Sequence, residues 1–162
     1  MTAAHRRERL ALATLAAVQF THIMDYMMLM PLGAHLMELL DISAAQFSYL
    51  VASYSLAAAA TGFAGGFVLD RYDRKRALLT LYTGFGLATL ACALAPNYTV
   101  LLFARLLAGA FGGLAGAVVM AAAGDIVPPE RRGAALGVVM TAFPFAAVMG
   151  VPAGLLLADW FE

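Results

Sequence analysis

Five apolar stretches dominate the chain, at residues 10–40, 45–69, 77–95, 99–123 and 134–158, separated by short clusters of Ser, Asp, Asn, Pro and charged residues. A helix rising about 1.5 Å per residue needs roughly 20 apolar residues to cross the roughly 30 Å of bilayer hydrocarbon. All five stretches are of that order. Their Ala, Leu, Gly and Met runs do not alternate with polar residues, as the strands of a barrel do. The pattern therefore predicts an all-α integral membrane protein of five spanning helices, because a helix satisfies its own backbone in lipid.

The residues between the stretches punctuate the same elements. Ser43 and Gln46 have capping-box spacing and predict a helix start just after Ser43. Asp73 is placed to cap the third helix, Pro96-Asn97 to turn into the fourth, and Pro128-Pro129-Glu130 to open the fifth. Short links of this kind favour antiparallel neighbours. The first stretch follows Arg6, Arg7 and Arg9, as a secretory signal would. It is longer than the 7–15 residues of such a signal, however, and contains Gln19, His22 and Asp25, which predicts a retained helix.

Composition narrows the class. Of the 162 residues 63% are hydrophobic and 12% charged, half the charged share of a typical water-soluble domain. That excludes a soluble enzyme, a disordered chain and a basic nucleic-acid binder. The single cysteine, Cys92, lies in an apolar run, which excludes a disulfide framework and a thiolate metal site. Ten basic and ten acidic residues sum to zero, but they are not mixed. Arg6, Arg7 and Arg9 lie in the tail at 1–9, Arg71, Arg74, Lys75 and Arg76 between the second and third stretches, and Arg131 and Arg132 between the fourth and fifth. The alternate loops at 38–46, 96–98 and 159–162 hold only Glu38, Asp41, Asp159 and Glu162 as charges. Basic residues stay on the cytoplasmic side. A cytoplasmic N-terminal tail follows, with Asp159-Trp160-Phe161 at the outer interface.

Two charges fall inside the predicted membrane: Asp25 in the first stretch and Arg105 in the fourth. Each costs on the order of 2.5–3.5 kcal/mol at the bilayer centre, so such residues face a partner or a water-filled path and are candidates for substrate or ion handling. The plainer reading is an ion pair that fixes helix packing. Counted from the ends of the stretches, Asp25 lies roughly 18 Å deep and Arg105 roughly 9 Å, so a direct pair requires reach, tilt or a bridging water. His22, three residues before Asp25, shares its face and could exchange protons with it or simply pack. Gln19, Thr21 and Tyr26 extend that polar stripe. Met24, Met27, Met28, Met30 and Met37 predict a deformable apolar wall rather than a metal site. Gly62/Gly66, Gly109/Gly113, Gly112/Gly116 and Gly150/Gly154 have the small-xxx-small spacing of close helix contact. Pro31, Pro144 and Pro152 lie within helical stretches, where each frees a carbonyl and permits a bend. No catalytic triad, phosphate loop, metal signature or cofactor motif is present.

The segment Gly66-Phe-Val-Leu-Asp70-Arg71-Tyr-Asp73-Arg74-Lys75-Arg76 resembles the loop 2–3 signature of the major facilitator superfamily, with Asp73 where the pattern has glycine. The resemblance implies that Gly66 permits close helix contact and that Asp70, Arg71, Arg74, Lys75 and Arg76 belong to a charge network latching a cytoplasmic gate. Three further segments extend it. Asp25 six residues before Pro31 resembles the helix 1 element of the drug:proton antiporter branch. Arg105-Leu-Leu-Ala-Gly109 is similar to a helix 4 motif whose arginine is tied to proton coupling, with Ala108 in place of Gln. Gly137, Ala146, Gly150, Pro152 and Gly154 resemble the helix 5 antiporter motif, with Val151 inserted before the proline. The stretch Asp125-Ile-Val-Pro-Pro-Glu130-Arg131-Arg132-Gly133 fits the family's loop 4–5, which brings in Asp125, Glu130 and Arg132.

The family's unit is six helices per half and two halves around a central cavity. The resemblance thus implies most of an N-terminal half, which needs a C-terminal half or a second chain. The expected function is proton-coupled efflux of small organic molecules, drugs or sugars, across a bacterial inner membrane. Asp25, Arg105 and His22 would lie in the coupling site, with lipid, protons and substrate as partners. The competing reading is a transport-inactive fragment or a small membrane interaction protein.

Overall fold

A computed structural model describes the backbone of residues 3–68 and 72–161, and side-chain burial over residues 5–65 and 72–156. The order is α1 (Ala3–Met28), α2 (Gly33–Leu39), α3 (Ala44–Val68), α4 (Arg74–Ala93), α5 (Tyr98–Ile126), a 3-10 turn at Pro129–Arg131, α6 (Arg132–Met140), α7 (Ala142–Phe145), a π-helical stretch at Ala146–Gly150, and α8 (Val151–Phe161). Four stretches are long and apolar enough to cross a bilayer: Ala44–Gly65, Arg74–Ala93, Tyr98–Ile126 and Pro129–Leu156. α1 is not among them. Its 26 residues rise about 39 Å, but Gln19, His22 and Asp25 dilute its apolar character.

Burial is distributed as in a bilayer protein. Leu56, Phe63 and Val148 are 71, 75 and 73% exposed, whereas Arg105 is buried, the reverse of a water-soluble surface. α5 is the central element. α3 and α4 pack along it, and α1 packs against both α5 and the broken helix α6–α8. Small residues make this possible. A Cβ on Gly109 would run into the backbone of Tyr54, and one on Gly113 would meet the backbone of Ala58 at 2.5–2.9 Å. Thr61 Oγ1, at 3.0 Å, donates to the Ala110 carbonyl and fixes the same contact. An apolar cluster of Leu29, Ile42, Leu50 and Leu101 closes one end of the bundle. At the other end Leu12, Leu15, Val119, Ala123 and Val139 pack together.

The helix ends follow the local chemistry. Ser43 and Gln46 cap each other's backbone at 3.3 and 2.9 Å, a capping box. Asp73 accepts from the Arg76 N–H at 2.9 Å, and Asn97 from that of Val100 at 3.0 Å. α2 ends in a Schellman turn: Ile42 N bonds Met37 O at 3.0 Å and Asp41 adopts φ 50°.

Three boundaries differ from the sequence expectation. The stretch 10–40 is not one helix: α1 begins at Ala3 and stops at Met28, a turn spans 29–32, and α2 starts at Gly33. Pro31 has no N–H to continue the ladder, and Gly33 N turns back to Met30 O at 3.1 Å. The third helix starts at Arg74 rather than 77, which takes Arg74, Lys75 and Arg76 into its first turn. The stretch 134–158 belongs to a longer helical path broken into short pieces. Pro144 and Pro152 each remove a donor, and the register slips by one residue where Val151 N bonds Ala146 O.

Candidate functional site

Asp25 and Arg105 meet directly. Arg105 Nη1 lies 2.9 Å from Asp25 Oδ2, with side-chain exposures of 4 and 13%. The depth mismatch of about 9 Å expected from the sequence shrinks to about 5 Å because α1 ends at Met28. Asp25 is then about 5 Å below the end of its helix, against about 10 Å for Arg105 below Tyr98. No bridging water is required.

Two side chains that the sequence did not single out complete the pair's surroundings. Thr89 of α4 donates to Asp25 Oδ1 at 3.3 Å. The Arg105 guanidinium carbon stands 4.5 Å from the centre of the Tyr54 ring on α3, a cation–π contact that desolvation strengthens. Tyr54 in turn donates to the His22 carbonyl at 3.4 Å, and its ring lies 5.4 Å from that of Tyr26. The site thus draws on α1, α3, α4 and α5. Its construction depends on the glycine face of α5. Gly109 admits the Tyr54 backbone, and a Cβ on Gly112 would stand 2.6 Å from the Tyr54 hydroxyl. Tyr54 can lie under Arg105 only because both positions lack a side chain.

His22 is close by but not in the ion pair. Its ring meets Phe85 edge-on at 6.5 Å, and it borders an open cavity of about 190 Å³ shared with Tyr26, Tyr54, Ser55 and Phe143. The methionines form an apolar wall: Met24 and Met28 pack on Gly150 and Gly154 of the broken helix. Pro152, between those glycines, is exposed.

A second cluster lies at the end of the bundle that carries the loop charges. Arg74 Nε pairs with Asp125 Oδ2 at 3.2 Å, joining α4 to α5. Arg131 makes two contacts of 3.1 Å with Glu8, joining the 3-10 turn to α1, and Arg132 Nε donates to the Gly124 carbonyl at 3.0 Å. Lys75, Arg76 and Glu130 are exposed. Asp70 and Arg71 lie outside the described residues, as do the surroundings of Gly66.

A charged pair buried between helices whose outer faces are apolar fits a protein that sits in a bilayer, and comparison with known proteins agrees. Residues 15–162 match the family model of the Major Facilitator Superfamily. The chain belongs to the major facilitator superfamily. It is similar to two Bacillus subtilis proteins described as uncharacterised MFS-type transporters: YhcA, 31% identical over 86% of this chain and 26% of the relative, and YfhI, 36% identical over 68% and 28%. Multidrug resistance protein 2 of the same organism is 28% identical over 82% of this chain and 33% of its own length. The chain therefore spans between a quarter and a third of these major facilitator relatives. Its helices and family make it a multi-pass membrane protein.

The partner residues had a signal in the sequence. Ser53, Tyr54 and Ser55 place three hydroxyls together within an apolar stretch, and Thr89 is a hydroxyl in another. The rule that singled out Asp25, that a polar group in lipid needs a partner, reaches these residues too if it is applied to hydroxyls.

Proposed function

We propose that this chain is the N-terminal portion of a proton-coupled exporter of small organic molecules, drugs or sugars, in a bacterial inner membrane. In this reading α1 is a fifth span, the tail at 1–9 is cytoplasmic, and a C-terminal half or a second chain completes the cavity. The observation that carries it is the buried Asp25–Arg105 contact at 2.9 Å, joining α1 to α5 across 80 residues of sequence. Asp25 is the proton carrier. As a carboxylate it holds Arg105, and taking up a proton removes the charge that binds the guanidinium. Arg105 then keeps the Tyr54 ring but loses its ionic tie to α1, which loosens α1 against α5. His22 and Tyr26, on the cavity of about 190 Å³, lie where a substrate would feel that change.

The second charge cluster is the inner gate. Arg74–Asp125 and Arg131–Glu8 tie α4, α5, the 3-10 turn and α1 together at one end. Gly66, Asp70, Arg71, Lys75, Arg76, Glu130 and Arg132 belong to the same latch, while Gly150, Pro152 and Gly154 let the broken helix flex against α1. The test is export in cells stripped of their own efflux pumps. Expression of the full-length protein should raise resistance to a panel of hydrophobic antimicrobials that includes ethidium. Asp25→Asn should abolish it at unchanged membrane abundance. If ethidium efflux from Asp25→Asn vesicles keeps the wild-type dependence on an imposed pH gradient, Asp25 is not the carrier.

A further inference from the structure

Two polar atoms between α1 and α5 have no hydrogen-bond partner among the described residues although both are buried: Gln19 Oε1 and His22 Nε2. They converge on one spot. A Cβ built on Gly116 of α5 would stand 3.2 Å from His22 Nε2 and 3.8 Å from Gln19 Oε1. Gly116 differs here from the other glycines of its stripe. Gly109 and Gly113 admit backbone of α3, and Gly112 admits the Tyr54 hydroxyl and Phe85, whereas the atoms nearest a Cβ on Gly116 belong to these two polar side chains. Approach of another backbone therefore does not by itself explain why position 116 lacks a side chain. Buried polar groups without protein partners are ordinarily served by ordered water, and one molecule bridging the two atoms would satisfy both.

We propose that Gln19, His22 and Gly116 form a site for one water molecule, through which His22 exchanges its proton. The water donates to Gln19 Oε1 and donates to, or accepts from, His22 Nε2. When a proton reaches it, the Nε2 lone pair forms a new N–H bond, an O–H bond of the hydronium breaks, and neutral water remains. The site deepens the export reading by placing a second protonatable group one helical turn from Asp25. Its existence does not depend on that reading, because both atoms are already buried by the described helices. Around His22, Tyr54 donates to its carbonyl at 3.4 Å and Tyr26 and Ser55 share its cavity, while Thr21 and Tyr82 bond each other at 3.0 Å.

The test uses the full-length protein in lipid bilayers, with histidine labelled by nitrogen-15 and water-edited solid-state NMR. Transfer of magnetisation from water to the His22 side chain should be fast in the wild type. It should fall several-fold in Gly116→Ala, whose methyl occupies the site, and persist in Gly116→Ser, whose hydroxyl replaces the water. Apparent melting temperatures should rank wild type and Gly116→Ser above Gly116→Ala. Equal losses in the alanine and serine variants would show that only bulk matters, and transfer unaffected by alanine would show that Gln19 reaches His22 unaided; either overturns the site. Gln19→Leu gives a second route to the same loss should Gly116→Ala fail to fold. In vesicles that export ethidium, Gly116→Ala should slow the pH-driven flux several-fold; an unchanged flux overturns the exchange role. Absence of wild-type ethidium export counts against the exporter and leaves the NMR result readable.

Discussion

Removing one member of the Asp25–Arg105 pair should destabilise the protein far more than removing both. Arg105→Met strands a carboxylate that is 13% exposed and leaves it one hydrogen-bond partner among the described residues, the Thr89 hydroxyl at 3.3 Å. Breaking a buried pair in this way costs about 3–5 kcal/mol. The lower figure applies here, because Arg105 gives Asp25 only one direct contact while its Nε and Nη2 have no partner among the described residues. Asp25→Leu strands the guanidinium instead. The Tyr54 ring at 4.5 Å offsets about 1 kcal/mol of that loss, so about 2 kcal/mol remains. The double variant Asp25→Leu/Arg105→Met leaves no charge behind and should lie within about 1 kcal/mol of the wild type, or be more stable. The double-mutant cycle then yields a coupling energy of at least about 4 kcal/mol. The measurement is unfolding by SDS in mixed micelles, followed by far-ultraviolet circular dichroism. The reasoning is refuted if the losses of the two single variants simply add in the double variant, or if neither exceeds about 1 kcal/mol. A double variant that folds but exports nothing would separate the chemical role of the pair from its structural one.

Gly109→Ala places a methyl against the Tyr54 backbone and should cost about 1–3 kcal/mol in the same unfolding assay, with loss of the Tyr54–Arg105 contact. Gly86, inside α4 with nothing within 4 Å of a notional Cβ, behaves oppositely: Gly86→Ala should stabilise by about 0.5–1 kcal/mol. Asp73→Ala removes the cap on Arg76 N and should cost about 1 kcal/mol, visible as a lowered unfolding midpoint. Asp125→Asn weakens a pair whose members are 32 and 58% exposed, so stability should change by less than about 1 kcal/mol. A large change in ethidium export rate in that variant would then report gating rather than folding.

The elements were largely legible because their signals are local. Ser43, Asp73 and Asn97 act on backbone within three residues of themselves, and each caps the helix it precedes. The broken fifth stretch and the split first one were legible only in part. Pro31, Pro144 and Pro152 mark where a ladder loses a donor, but whether the helix bends, slips into a π turn or stops depends on what packs around it. Arg105 and Asp25 announced themselves by their cost in lipid, whereas Thr89 gave a weaker signal, because a Ser or Thr hydroxyl in a helix can satisfy itself on its own backbone, as Ser53 does at 2.8 Å.

The sequence alone determined the class of molecule, the helical stretches, their caps and the two charges in need of partners, since each follows from composition or from neighbours along the chain. Only the tertiary structure decided that those charges pair directly, that Tyr54 lies beneath the guanidinium, and that Gln19 and His22 converge on Gly116. These are matters of register between helices. Register is set by where α1 stops at Met28 and by how closely the glycine face of α5 lets α3 approach, and a periodic pattern within one helix carries no information about its rotation or height against another.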